Sequence, residues 1–137
     1  MDEIRLKEAR ERLERLRSVL PARGRVFIVP HDYPDPDALA SAAALHLLLA
    51  KYCRVQGQIV FTGTVSRAEN IELLRHYRYA WRFLDQVRVP SRKVPCLFVD
   101  SLPRSGNVTT PPFGRPVAVI DHHAYTRKLP KIGRAHV

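Results

Sequence analysis

The fold turns on one stretch, Val26-Phe27-Ile28-Val29-Pro30-His31-Asp32-Tyr33-Pro34-Asp35-Pro36-Asp37. Four consecutive apolar residues after Gly24 read as a buried strand, because a half-exposed strand would alternate apolar and polar positions. Pro30 closes it, and the polar loop HDYPDPD follows. Pro36 suits the first turn of a helix, where the proline ring presets φ and its missing N–H leaves no bond unmade. That helix runs to about Tyr52 with an almost wholly apolar body. A helix so apolar packs on a sheet with one side and on something else with the other.

Working outward, strands and helices alternate. Leu6, Ala9, Leu13, Leu16 and Leu20 recur at spacings of 3 and 4, so residues 3–19 form an amphipathic helix packed on the domain, and Pro21 ends it. Ile59-Val60-Phe61 reads as a second strand, closed by Thr62-Gly63. Ser66-Arg67-Ala68-Glu69 matches a capping box, which starts a helix near Arg67 that runs to about Tyr77. A weak extended piece lies around Trp81–Leu84. Cys96-Leu97-Phe98-Val99 is a strand ending at Asp100, and Ser101 to Pro116, rich in proline, is a long loop. Val117-Ala118-Val119-Ile120 is the last strand, followed by Asp121-His122-His123. Short continuous apolar strands alternating with helices predict an α/β fold, a Rossmann-like parallel sheet flanked by helices and covered on both faces. No glycine-rich phosphate loop is present.

The composition agrees with a single domain. A chain of 137 residues, 45% hydrophobic and 26% charged, supports one core and is too apolar for a disordered polymer. The longest weakly polar stretch, Ala38 to Ala50, contains Ser41 and His46 and falls short of the ~18–20 apolar residues that a membrane span needs. The charged first residues carry no signal-peptide pattern. Cys53 and Cys96, far apart and in apolar surroundings, read as reduced thiols of a cytoplasmic chain. The net charge of +10 favours an anionic partner such as a phosphate ester, nucleotide or nucleic acid. Five arginines of the first helix are interleaved with glutamates, as on a solvated face. The aspartates are more telling: Asp32, Asp35, Asp37, Asp100 and Asp121 all follow predicted strands.

In open parallel sheets, ligands bind at the carboxyl ends of the strands. Three strands deliver metal-type ligands there: His31, Asp35 and Asp37 from the first, Asp100 from the third, and Asp121, His122 and His123 from the last. Carboxylates with a minority of imidazoles suit Mn²⁺ or Mg²⁺ and not a structural zinc. Converging carboxylates can hold two cations ~3.5–4 Å apart, bridged by one aspartate and a water that attacks phosphorus. Taken singly, Asp35 or Asp37 reads equally well as a helix cap, Asp100 as a turn former, and the paired histidines as a loop accident. His46 and His76, within helices, read as structural.

In this order and at these distances, HDYPDPDALAS, FVDSLPRSGN and VIDHH resemble the DHH phosphoesterase family, which takes its name from the motif at Asp121-His122-His123. SRAEN is similar to the branch of oligoribonucleases that also dephosphorylate adenosine 3′,5′-bisphosphate. The resemblance covers about residues 24–126. It implies a DHH domain in which His31 and Asp35 bind one Mn²⁺, Asp37 and His122 the other, and Asp100 bridges both. It further implies that Asp121 orients the site, that His123 stands near the scissile phosphate as a catalytic residue, and that Arg67 and Asn70 lie near the substrate. Asn107 would steady the loop after Asp100. The substrate implied is a short oligonucleotide or small nucleotide phosphate, with cyclic-dinucleotide hydrolysis, pyrophosphate hydrolysis or non-catalytic nucleotide binding as alternatives. The full-length parent is expected to be a homodimer.

Three departures stand out. Ala40 replaces the family's usual glycine, which predicts crowding in the first turn of the helix, and Tyr33 replaces a common asparagine. The family's fourth metal motif and second domain lie beyond this sequence. Residues 131–137, KIGRAHV, look like the translation of a sequencing adapter. The chain is therefore read as a helix over 1–22, the N-terminal part of a DHH domain over 23–130 that is incomplete at the C-terminus and inactive alone, and a non-native tail.

Overall fold

The computed structural model describes residues 2–76 and 80–123, so the tail over 131–137 and the end of the third helix at Tyr77 lie outside the described residues. Five parallel strands form one sheet in the order β3-β2-β1-β4-β5. They are β1 (Gly24–Val29), β2 (Val55–Phe61), β3 (Trp81–Phe83), β4 (Val94–Val99) and β5 (Gly114–Ile120), with helices α1 (Glu3–Val19), α2 (Pro36–Tyr52) and α3 (Ala68–His76). The fold is α/β, as expected.

The central strand alternates cleanly between two layers. Val26 and Ile28 join the core cluster of α2, whereas Phe27 and Val29 join the opposite one. All four are essentially inaccessible to solvent, and each such side chain contributes about 1.5–3 kcal/mol of burial. That two-sided burial is why the run lacks polar alternation.

The two faces are not covered alike. Right-handed crossovers from β1 to β2 and from β2 to β3 put α2 and α3 on one face; the chain then reverses direction to reach β4 and β5, and the connections fall on the other. Leu39, Ala42, Leu45 and Leu49 of α2 fill the first layer together with Leu16 of α1. Among the described residues the second face carries no α-helix. A 3₁₀ turn over Leu84–Gln86 and the loop after β4 cover it through Leu84, Val87, Leu102, Val108 and Phe113.

Helix α2 starts and stops for identifiable reasons. The Asp35 carboxylate accepts the Ala38 N–H at 2.9 Å, Pro36 follows it, and the Cys53 N–H closes the last turn on the Leu49 carbonyl. His46 donates Nδ1–H to the Gly57 carbonyl at 2.6 Å, which ties α2 to β2 and gives that histidine a structural role. Ala40 is exposed, so its methyl meets solvent and the predicted crowding does not arise.

Several boundaries differ from the sequence reading. β2 begins at Val55, four residues earlier, because Gly57 sits where Ile28 and Leu49 leave no room for a side chain. β5 takes in Pro116, which an edge strand tolerates, and a register shift between Cys96 and Leu97 absorbs the irregularity. In α3 the first helical bond runs from Ile71 N–H to the Arg67 carbonyl, so Arg67 holds the cap position expected of Ser66. The apolar stripe of α1 is only half used: Leu16 is buried, Leu13 and Leu20 are half-buried, and Leu6 is exposed.

Leu16→Ala is therefore expected to lower unfolding stability by about 2–5 kcal/mol in urea titration, whereas Leu6→Ala stays within about 0.5 kcal/mol. Equal losses would mean that the whole stripe is packed. Burial pushes the Cys96 thiol up to about 12, and its side chain is inaccessible; Cys53 is half-buried and also raised by burial. Alkylation of the native protein should modify Cys53 slowly and leave Cys96 untouched, with both reacting in denaturant. Rapid double labelling read by mass spectrometry would contradict this packing.

Candidate metal centre

The reversal of crossover direction falls between β1 and β4, which opens a crevice at their carboxyl ends. The loop after β1 and the turn after β4 both enter it. Asp100 closes β4 with φ +50°, a left-handed conformation that aspartate tolerates better than most residues. Two bonds hold it there. Its N–H donates to the Ile120 carbonyl of β5 at 3.0 Å, and the hydroxyl of the next residue, Ser101, donates to the Val29 carbonyl of β1 at 3.1 Å. The carboxylate is thus fixed across three strands.

The other predicted ligands gather around it. His31 Nε2 lies 3.6 Å from Asp35 Oδ1 and 3.9 Å from Asp100 Oδ2. His122 Nε2 lies 3.3 Å from Asp100 Oδ1 and 3.5 Å from Asp37 Oδ2. His123 Nδ1 lies 2.6 Å from Asp121 Oδ1 and 3.5 Å from Asp100 Oδ1. Two groups of donor atoms result, each with all members within 4.8 Å of one another: His31, Asp35 and Asp100, and Asp100, Asp121, His122 and His123. Asp100 belongs to both. Asp37 stands beside the second group, in contact with His122.

The donor set fits divalent cations for reasons beyond proximity. His31 Nδ1 lies 2.8 Å from the Asp32 carbonyl, an atom that can only accept, so the ring proton sits on Nδ1. The lone pair on Nε2 then faces two carboxylate oxygens, and a cation between them turns that repulsion into coordination. Asp100 Oδ1 and Asp121 Oδ2 are buried without a hydrogen-bond partner. Desolvation first, and then the charge of Asp37, hold the Asp100 carboxyl above the usual carboxylate range; His123 opposes them in part, and Asp35 and Asp121 add smaller rises. The rim is open: the His122 and Asp37 side chains are 72% and 65% exposed, while Asp100 keeps 6%.

Asp121 has a specific neighbour. Its Oδ1 accepts both the backbone N–H of His123, at 3.2 Å, and the ring Nδ1–H. That bond and the adjacent charge raise the His123 imidazole above its ordinary value. Asp35 serves twice, since the same Oδ1 that caps α2 faces His31.

Arg67 and Asn70 enter neither group. Arg67 is exposed on the N-terminal turn of α3, and Asn70 is buried with an unpartnered Oδ1. Asn107 steadies the site loop as expected, its carbonyl accepting the Asp32 N–H at 2.8 Å. Sequence reasoning missed the role of Ser101, although a serine directly after a strand-ending aspartate is a turn-pinning signal. It noted Asp32 only as one of the aspartates that follow strands. Asp32 instead accepts the Thr109 N–H and hydroxyl at 2.8 and 2.7 Å and locks the two site loops together.

No protein-family model matches the chain, and no curated protein matches it. No helix among the described residues is long and apolar enough to cross a membrane.

Asp100→Asn is a sharp probe, because asparagine accepts the left-handed backbone equally well. The ionised Asp100 destabilises the metal-free fold at neutral pH, and that penalty disappears as pH falls through its raised folded-state value. The metal-free variant should therefore melt at or above the wild-type temperature. Saturating Mn²⁺ at about 100 times Kd should stabilise wild type by ~2.7 kcal/mol and the variant far less. Equal Mn²⁺ stabilisation of both proteins would remove Asp100 from the site.

Proposed function

We propose that this domain is the N-terminal catalytic part of a DHH-type phosphoesterase, a Mn²⁺-dependent hydrolase acting on short oligonucleotides or small nucleotide phosphates through a two-cation site. The reading is carried by one observation, the buried Asp100 carboxylate shared by two ligand groups. A carboxylate in that position could serve two cations, and the oxygen-rich set with two imidazoles suits Mn²⁺, with Mg²⁺ as a second choice. Two such ions supply charge neutralisation at a phosphate and activation of water.

The chain's own residues then have distinct tasks. His31 and Asp35 would hold a first cation and Asp37 and His122 a second, with Asp100 offering an oxygen to each. Ser101 and the Ile120 carbonyl keep Asp100 from relaxing away from its like-charged neighbours. Asp121 holds the proton of His123 on Nδ1, which leaves Nε2 to face the substrate phosphate; once charged, that imidazole stabilises the leaving oxygen. The +10 net charge draws anionic substrates to an otherwise acidic crevice. The two free cysteines suit the reducing cytoplasm, where we place the protein.

Hydrolysis of the dinucleotide pApA by the intact protein should require Mn²⁺ and stop on chelation. Asp37→Asn and His123→Ala should each lower kcat at least ~10²-fold while the fold is retained. Turnover that survives chelation would overturn the two-cation reading, and metal-dependent nucleotide binding without turnover would move it to a regulatory domain.

A further inference from the structure

Two residues before Asp35, the loop after β1 presents an aromatic ring to solvent. Tyr33 is 66% exposed and has φ +51°, a conformation that bulky side chains rarely adopt. An exposed tyrosine adds nothing to the core, so core packing does not account for this placement. Its backbone is nevertheless held in place. The Tyr33 N–H donates to the Thr62 carbonyl at 2.9 Å, at the carboxyl end of β2. The ring lies directly on Gly63, where a Cβ would come within 2.6–2.8 Å of three ring carbons. Gly63 itself has φ +96°, so this position favours glycine both for its backbone and for the space it leaves.

The residues on either side are held as firmly. Asp32 is bonded to Asn107 through its N–H and to Thr109 through both carboxylate oxygens. Pro34 is buried, and Asp35 caps α2. A strained backbone, fixed at each of four successive positions, displays one flat ring with a face resting on glycine and the rest open. Such a ring is placed to stack on a flat ligand, and the backbone beneath it has little freedom left to lose when one arrives.

We propose that Tyr33, two residues from both His31 and Asp35, is the platform for a nucleobase of the substrate. The inference rests on the phosphoester reading above and narrows it: the preferred ligands are phosphates that carry a base, and the base contributes through its π-face with little discrimination among base types. The phosphate is held by the cations, while the base is held by a side chain that touches none of the cation ligands.

Binding to the Mn²⁺-loaded protein, measured by titration calorimetry, separates these contributions with three probes: inorganic phosphate, ribose 5-phosphate and 5′-AMP. Wild type should bind 5′-AMP about 5- to 150-fold more tightly than ribose 5-phosphate, the range expected for one stacked base. Tyr33→Ala should abolish that preference while phosphate and ribose 5-phosphate keep their affinities, and Tyr33→Phe should preserve it. Gly63→Ala, which displaces the ring without removing it, should weaken 5′-AMP selectively as well. Equal wild-type affinity for 5′-AMP and ribose 5-phosphate, or a uniform loss for all three probes in Tyr33→Ala, would overturn the platform and leave the cation site standing. Failure of phosphate itself to bind would overturn the cation site and the platform with it.

Discussion

A carboxylate that has been taken out of water and placed among its own kind is the constraint on which this site depends. Asp100 is buried, has one oxygen with no hydrogen-bond partner, and is flanked by Asp35, Asp37 and Asp121. Left alone, such a group would swing out to solvent, since an isolated buried charge is strongly disfavoured. The fold prevents that by fixing the backbone on both sides of it. The Asp100 N–H is tied to β5 and the Ser101 hydroxyl to β1, so the strands that make the hydrophobic core also aim the carboxylate. Repulsion held in place by a rigid scaffold is what a cation among these oxygens would relieve.

The scaffold's handedness decides where that happens. Because every crossover in a parallel sheet turns the same way, reversing the strand order after β3 sends later connections to the opposite face. The chain then leaves β1 and β4 on opposite sides, and their carboxyl ends part. Ligands delivered by the first and third long strands meet in that gap although they are distant in sequence. Nothing about His31 or Asp100 individually specifies a site; their meeting is a consequence of topology.

Much of this was legible in the amino-acid order. Val26–Val29 and Cys96–Val99 are buried on both faces, and uninterrupted apolar runs of that length have few other readings. Asp35-Pro36 combines a cap with a preset φ, which is why α2 begins where the sequence puts it. Local signals failed where tertiary packing overrode them. Gln56-Gly57-Gln58 offers no apolar run, yet it lies inside β2, where the Ile28 and Leu49 side chains close over Gly57. Pro116 reads as loop, but at a sheet edge the missing N–H faces no neighbouring strand. In α1, periodicity marked an apolar stripe without marking its partner, and only the half that reaches the sheet around Leu16 is covered. The role of Asp32 was equally hidden, since nothing in its own surroundings distinguishes a loop lock from a ligand; only Thr109, far along the chain, makes the difference.

The same distinction, between what aims a group and what the group does, orders the whole carboxyl edge. Left-handed backbone occurs at Tyr33, Gly63 and Asp100 in the turns that leave β1, β2 and β4, and also at Arg104 in the loop after β4 and at Arg54, at the opposite edge before β2. At Tyr33 and Asp100 such geometry is unfavourable, as is crowding four aspartates into one crevice, and both are tolerated because a dense apolar core sits immediately beneath. The opposition is informative. If these loops were merely connectors, scattered charge would serve the fold better. Left-handed backbone occurs at both edges of the sheet, so it is the like charge of Asp35, Asp37, Asp100 and Asp121, and not the backbone, that sets the crevice apart.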